Sequence, residues 1–160
     1  MKCKVIAEIG WNHMGDMSLA KEMIYSAHES GADYAKFQTW SVKNLKSGPW
    51  DNDGRLEIYK QAELSRDQHK ELRNYCNSLG VKFLTSIFNL NDSDWLSELD
   101  NHAIKVPSHE VHNKDLIQCI DGKFENIFIS TGAAKWSEIE ILPSLIERSR
   151  LCLFHCVSSY

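Results

Sequence analysis

Short apolar runs alternate with stretches of helical periodicity along this chain. Residues 4–9 (KVIAEI) read as a strand. Asp16 then stands as the N-cap of a helix with Met17, Ala20, Met23, Ile24 and Ala27 on one face, closed by Gly31. Residues 34–39 (YAKFQT) form a second strand. A polar stretch, residues 40–63, follows, with Gly48-Pro49 and Asp53-Gly54 as turn signals. Ser65 and Gln68 frame a capping box, and Leu72, Tyr75, Cys76 and Leu79 give the helix face that ends at Gly80. Residues 81–85 (VKFLT) are the third strand, and residues 91–99 a short helix capped by Asn91. Residues 103–106 (AIKV) are the fourth strand, and residues 113–120 a helix capped by Asn113. Residues 126–130 (NIFIS) are the fifth. A capping box at Ser137-Glu138-Ile139-Glu140 opens a helix that must accommodate Pro143, and residues 151–157 (LCLFHCV) are the sixth strand.

Six apolar strands alternating with five helices predict right-handed βαβ crossovers and a parallel sheet. Two architectures satisfy that pattern, a doubly wound sheet and an incomplete (β/α)8 barrel. With 160 residues, 42% of them hydrophobic and 25% charged, the chain is long enough for one core and short for two domains. Lys and Arg number 18 against 22 Asp and Glu, a net charge of −4, which offers nucleic acid or an anionic membrane no electrostatic attraction. No segment approaches the roughly 20 apolar residues of a membrane span, and the first ten residues lack the apolar length of a signal peptide. The five cysteines, Cys3, Cys76, Cys119, Cys152 and Cys156, contain no CxxC pair and read as reduced, mostly buried thiols of a cytoplasmic protein. Cys152, His155 and Cys156 are poorly spaced for zinc, because neighbours on a strand point to opposite faces and no second ligand pair follows.

Candidate chemistry gathers at the carboxyl ends of the strands, the side on which parallel α/β folds bind ligands. The first strand brings Glu8, followed by Asn12 and His13. The second carries Lys36 and Gln38 on one face, and the third ends at Thr85-Ser86. The fourth carries Lys105, with Ser108 and Glu110 just beyond. The fifth ends in Ser130-Thr131-Gly132. The sixth carries His155 and leads to Ser158, Ser159 and Tyr160. An unpaired charge inside a buried strand is costly, so Lys36 and Lys105 together suggest a phosphorylated or polyhydroxylated ligand. Hydroxyls and loop amides would complete its oxygen shell. The plainer readings are strand-end lysines that snorkel, surface histidines at His13 and His109, and a core histidine at His155. Glu8 requires a donor or cation nearby. Trp40 and Trp50 are either cover for the core or a lid over ligand.

The ordered set of motifs resembles the sialic acid synthase family, the N-acetylneuraminate synthases and their legionaminic and pseudaminic acid relatives. The resemblance rests on Ile6-Ala7-Glu8-Ile9-Gly10 with Asn12-His13, and Gly31-Ala32-Asp33 leading into Lys36-Phe37-Gln38-Thr39. It continues through Phe83-Leu84-Thr85-Ser86 with Phe88, and Lys105-Val106-Pro107-Ser108-His109-Glu110 with Asn113. Ser130-Thr131-Gly132 with Glu138-Ile139, and His155-Cys156-Val157-Ser158-Ser159-Tyr160, complete it. It covers essentially the whole chain.

The resemblance implies an α/β fold of the (β/α)8 TIM-barrel type, incomplete, with about six βα units ending at the sixth strand. Residues 1–160 would be the N-terminal portion of a synthase-type barrel, without the family's C-terminal antifreeze-like domain. It implies condensation of phosphoenolpyruvate with an N-acetylated mannosamine-type sugar, with release of phosphate. Mn2+ or Mg2+ would assist, through ligands outside this chain. Lys105, Ser108, Ser86, Ser130 and Ser158 match positions that hold the phosphoenolpyruvate phosphate and carboxylate. Lys36 and Gln38 match site positions on the second strand, Glu110 and Tyr160 match sugar-contacting positions, and Glu8 matches a carboxylate near the reacting carbons. His109, Ile87 and Trp11 depart from the family pattern, each adding bulk near the mouth of the site. Two other readings accompany this one: an anion-binding module without turnover, and a split chain that pairs its open edges with a second copy or a complementing chain.

Overall fold

The structure is a computed structural model and describes residues 3–45 and 47–157. The described elements are β1 (Ile6–Gly10), α1 (Met17–Glu29), β2 (Tyr34–Thr39), α2 (Arg55–Ala62), α3 (Arg66–Leu79), β3 (Lys82–Ile87), α4 (Ser93–Leu99), β4 (Ala103–Val106), α5 (Lys114–Ile120), β5 (Asn126–Ser130), α6 (Trp136–Leu145) and β6 (Leu151–Phe154). The strands are parallel and follow the order β1-β2-β3-β4-β5-β6. A sequential order without reversal is that of a (β/α)8 barrel; a doubly wound sheet reverses at its switch point. The chain gathers into two compact units, Met1–Leu84 and Thr85–Tyr160, divided within β3.

In the first unit, the local signals act where the sequence places them. The Asp16 carboxylate accepts from the backbone N–H of Ser18 and Leu19 at 2.8 and 3.1 Å and starts α1. Ser65 and Gln68 exchange hydrogen bonds of 3.2 and 2.8 Å and start α3, which Gly80 ends at a φ of 75°. Ala20 and Ile24 of α1 and Leu72 and Cys76 of α3 are buried, as are Phe37 and Phe83, whose rings stack at 5.7 Å. Each fully buried large side chain contributes about 1.5–3 kcal/mol of transfer free energy.

The stretch at residues 40–63 holds a helix that the polar pattern concealed. α2 is eight residues long, weakly amphipathic, and opens after Gly54 at a φ of 90° with no side-chain cap. Tertiary contacts hold it instead. Trp11, Trp40 and Trp50 each pack on Tyr59 at centroid distances of 5.7, 5.6 and 5.6 Å. The Glu63 carboxylate ties the ends of the excursion together, accepting from Ser41 Oγ at 2.7 Å and Val42 N at 2.9 Å. Trp40 and Trp50 are thus half-buried and packed on Tyr59.

In the second unit, Ile87, Ile104, Val106, Ile127 and Ile129 face one side of their strands. They pack with Leu116, Ile117, Ile120 and Leu142 of α5 and α6. Several boundaries differ from expectation. Asn91 is not a cap: the Asn89 side chain accepts from Asn91 N at 3.0 Å and turns Leu90–Asp92 into a 3-10 segment that runs into α4. α6 starts at Trp136, because Glu138 Oε2 reaches back to Lys135 N at 2.7 Å, so Ser137 lies inside the helix. Pro143 falls in its last turn, and the backbone is extended again at Ile146. β6 stops at Phe154, whose carbonyl accepts from both Thr131 N and Thr131 Oγ1 at 3.1 and 2.9 Å. His155 lies beyond the strand and is exposed, not a core histidine. All five cysteines are free, but only Cys76 is buried, while Cys3 and Cys152 are exposed. No described helix is long and apolar enough to cross a membrane.

The loop after β1 presses on the end of α2. A Cβ at Gly15, where φ is +82°, would lie 2.1 Å from the Gln61 carbonyl oxygen, whereas Gly31, at φ +75°, has nothing within 4 Å. Gly31→Ala is expected to cost about 1 kcal/mol, the left-handed penalty alone. Gly15→Ala is expected to cost at least about 2 kcal/mol more, because a backbone segment must move. Urea unfolding of the two variants measures the difference, and equal losses would refute the close approach.

Candidate functional site

In the first unit, β1 and β2 pair with Glu8 opposite Lys36, and the register slips between Glu8 and Gly10. That irregularity lets Gly10 adopt a φ of +60°, and it brings the polar side chains of both strands together. A Cβ on Gly10 would lie 3.3 Å from Glu8 Oε1, 3.7 Å from Gln38 Nε2 and 3.8 Å from Asn12 Nδ2. Glu8 of β1 thus meets Lys36 and Gln38 of β2 in one cluster. Lys36 Nζ is 2.7 Å from Glu8 Oε2, with 4% of the lysine side chain exposed and 54% of the glutamate. Burial pushes the Lys36 ammonium below its usual range, and the attraction and hydrogen bond of Glu8 only partly offset this.

His13 is buried, not a surface histidine. Its Nδ1 accepts from Gly15 N at 3.0 Å, so the neutral ring carries its proton on Nε2. Burial lowers its pKa below 6.5. The tight turn through Gly15 that buries it leaves no periodic trace in the sequence. Thr39, at the end of β2, bonds His69 Nε2 at 2.8 Å. Because His69 Nδ1 faces the Ser65 carbonyl at 2.9 Å and must donate there, Nε2 accepts from the Thr39 hydroxyl. This bond anchors the carboxyl end of β2 to α3.

In the second unit, Ser86 pairs with Lys105, and Lys105 with Phe128. Parallel neighbours share a face, so these side chains lie opposite the apolar face of Ile104 and Val106. Ser86 and Ser130 are buried, and Lys105 and Ser108 are half-buried. Glu110 ends the 3-10 turn Ser108–Glu110 and accepts from Asn113 Nδ2 at 2.8 Å through Oε2. The Asn113 side-chain oxygen accepts from Leu116 N at 3.2 Å, so one side chain both caps α5 and orients Glu110. The sequence showed only the first role; the spacing of three residues from Glu110 was its trace of the second. Ser158 and Tyr160 lie outside the described residues.

Of the three departures from the family pattern, Ile87 is fully buried in the apolar core and Trp11 is packed on Tyr59. Ile87 therefore adds its bulk to the core and not to a site mouth. His109 is exposed, with its ring 5.5 Å from that of Phe88. Among the described residues, no three His, Cys, Asp or Glu side chains converge as a metal site.

The NeuB family profile matches residues 23–160. The chain is 34% identical over 178 residues to an N,N'-diacetyllegionaminic acid synthase of Legionella pneumophila, covering 100% of this chain and 50% of that protein. It is 34% identical over 175 residues to a protein of the same name from Campylobacter jejuni, covering 99% of this chain and 52% of that one. A crystal structure of N-acetylneuraminic acid synthetase from Leptospira borgpetersenii, in complex with citrate, superposes with a TM-score of 0.88 at 29% identity. It covers 98% of this chain and 54% of that chain. The chain thus spans about half the length of the curated relatives it matches.

Two outcomes follow from the first-unit geometry. Because the burial penalty on Lys36 outweighs its partner's attraction, Lys36→Met is expected to leave thermal stability unchanged or higher. Glu8→Gln, which removes the carboxylate charge from beside the ammonium, is expected to lower stability by about 1 kcal/mol, a value reduced by the exposure of Glu8. Thermal unfolding in which Lys36→Met is the weaker of the two would contradict this. His13 binds a proton less readily folded than unfolded, so its stabilising effect is complete above pH 6.5 and is lost as pH falls through the window below it. His13→Gln is expected to flatten that acid limb in a pH series of unfolding curves. An unchanged slope would show that other groups govern it.

Proposed function

The chain belongs to the NeuB family, and from that premise we propose that its strand-end residues serve a sialic acid synthase-type condensation. Phosphoenolpyruvate would join an N-acetylmannosamine-type sugar, with release of phosphate. The observation that carries this reading is Lys36: a lysine 4% exposed at the carboxyl half of a strand, held by the half-exposed carboxylate of Glu8. Such a placement costs stability, and a site for an anionic substrate accounts for it.

Carbon 3 of phosphoenolpyruvate attacks the sugar aldehyde carbon, and the new C–C bond leaves positive charge at carbon 2. Water adds there, and the tetrahedral intermediate expels phosphate. In this reading Lys36 and Lys105 neutralise the phosphate and carboxylate, and Ser86, Ser108, Ser130 and Ser158 donate hydroxyl hydrogen bonds to their oxygens. Glu8 and Glu110 orient the attacking water or move its proton, with Glu110 aimed by Asn113. Gln38 and Tyr160 contact substrate. A divalent metal would polarise the aldehyde oxygen; among the described residues no three His, Cys, Asp or Glu side chains converge to hold it.

Because the chain spans about half of its relatives, the condensation is proposed for an assembled barrel to which these six βα units contribute. Binding of phosphoenolpyruvate without turnover is the corresponding reading for the 160-residue chain. Phosphoenolpyruvate is expected to raise the melting temperature of the chain in a concentration-dependent way. Lys105→Ala is expected to weaken that shift at least about tenfold in ligand concentration, the loss of one charge-assisted contact. In a relative-length protein carrying these units, the same variant raises KM for phosphoenolpyruvate and lowers kcat, read by phosphate release. A chain indifferent to phosphoenolpyruvate would overturn the proposal.

A further inference from the structure

In the second unit, four side chains from α4, α5 and the turn after it meet away from the strand-end residues. Gly122, at φ +80°, turns the chain back after α5 and aims Lys123 at the helix it has just left. Lys123 Nζ lies 2.8 Å from Ser93 Oγ, 2.7 Å from Asp94 Oδ1 and 3.4 Å from Cys119 Sγ. Ser93 is buried, and its Oγ lies 3.2 Å from the same sulfur. An ammonium can only donate, so Ser93 Oγ accepts from Lys123, while between Ser93 Oγ and Cys119 Sγ either group can be the donor. One sulfur is therefore faced by the lysine ammonium, a hydroxyl and, through the lysine, a carboxylate.

We infer that Cys119 and Lys123 form a reversible covalent nitrogen–sulfur link when the protein meets a peroxide. In the first step the Cys119 sulfur attacks one oxygen of hydrogen peroxide. The S–O bond forms, the O–O bond breaks, and the thiol becomes a sulfenic acid with release of one water; sulfur is oxidised by two electrons and the peroxide reduced by two. In the second step Asp94 takes a proton from the Lys123 ammonium, and the freed amine attacks the sulfenic sulfur. The N–S bond forms, and the S–O bond breaks. Hydroxide leaves as water with the proton held by Asp94, and the nitrogen loses one more proton to solvent. The second step is a condensation and needs no further oxidant. Thiol reductants reverse the whole sequence by attacking sulfur and returning the amine.

Cys3 and Cys152 are more exposed than Cys119. Exposure alone favours their oxidation, whereas the lysine beside Cys119 diverts its sulfenic acid into the link. The test is tryptic peptide mapping of the 160-residue chain after a stoichiometric dose of hydrogen peroxide, without reduction. The expected product is a peptide uncleaved at Lys123, lighter by a hydrogen pair, and restored to the ordinary fragments by dithiothreitol. Lys123→Arg keeps the positive charge and its Asp94 partner but cannot form the link. In that variant Cys119 is expected to be trapped by dimedone, an adduct the unaltered chain yields only weakly. Cys119 recovered from the unaltered chain as a disulfide, as a dimedone adduct at the level of the variant, or unmodified would overturn the inference.

Discussion

The pairing of β1 with β2 sets Glu8 opposite Lys36, and the polar cluster of the first unit is built on that one contact. An ammonium taken out of water needs a fixed partner, and a strand can supply one only in a defined register. The slip after Glu8 and the left-handed Gly10 then bring Asn12 and Gln38 beside the carboxylate. In the loop that follows, His13 is buried and Gly15 sits against the Gln61 carbonyl.

The excursion between β2 and α3 shows how a segment without strong local preference is held. α2 has no side-chain cap and little amphipathic character, yet Tyr59 collects three tryptophan rings and Glu63 ties the two ends. Aromatic packing of this kind replaces propensity with burial, which is how most helices in proteins are stabilised. The second unit solves a related problem by giving one polar side chain two tasks. Asn113 caps α5 and also holds Glu110, so the carboxylate's direction depends on a helix start.

The family relationship and the site geometry bear on different questions. Membership of the NeuB family and the sequential parallel strand order explain why polar residues recur at the carboxyl ends of successive strands. The cluster of Glu8, Lys36 and Gln38 shows instead how a buried ammonium is held at a strand end, by a carboxylate that keeps half of its surface in water.

The alternation of apolar runs and helical periodicities determined the number of strands but not their order in the sheet, and β2, β4 and β5 match it residue for residue. Those signals are local: a strand alternates every second residue, and a cap lies within three residues of what it caps. Asp16, Ser65 and Asn113 were legible for that reason. The tertiary structure decided what depends on residues distant in the chain. It buried His13, stopped β6 at Phe154 through Thr131, and folded α2 on Trp11 and Trp40. It also set the register that makes Lys36 and Glu8 partners, since strand pairing is chosen by burial across the sheet and a sequence read one segment at a time carries no measure of it.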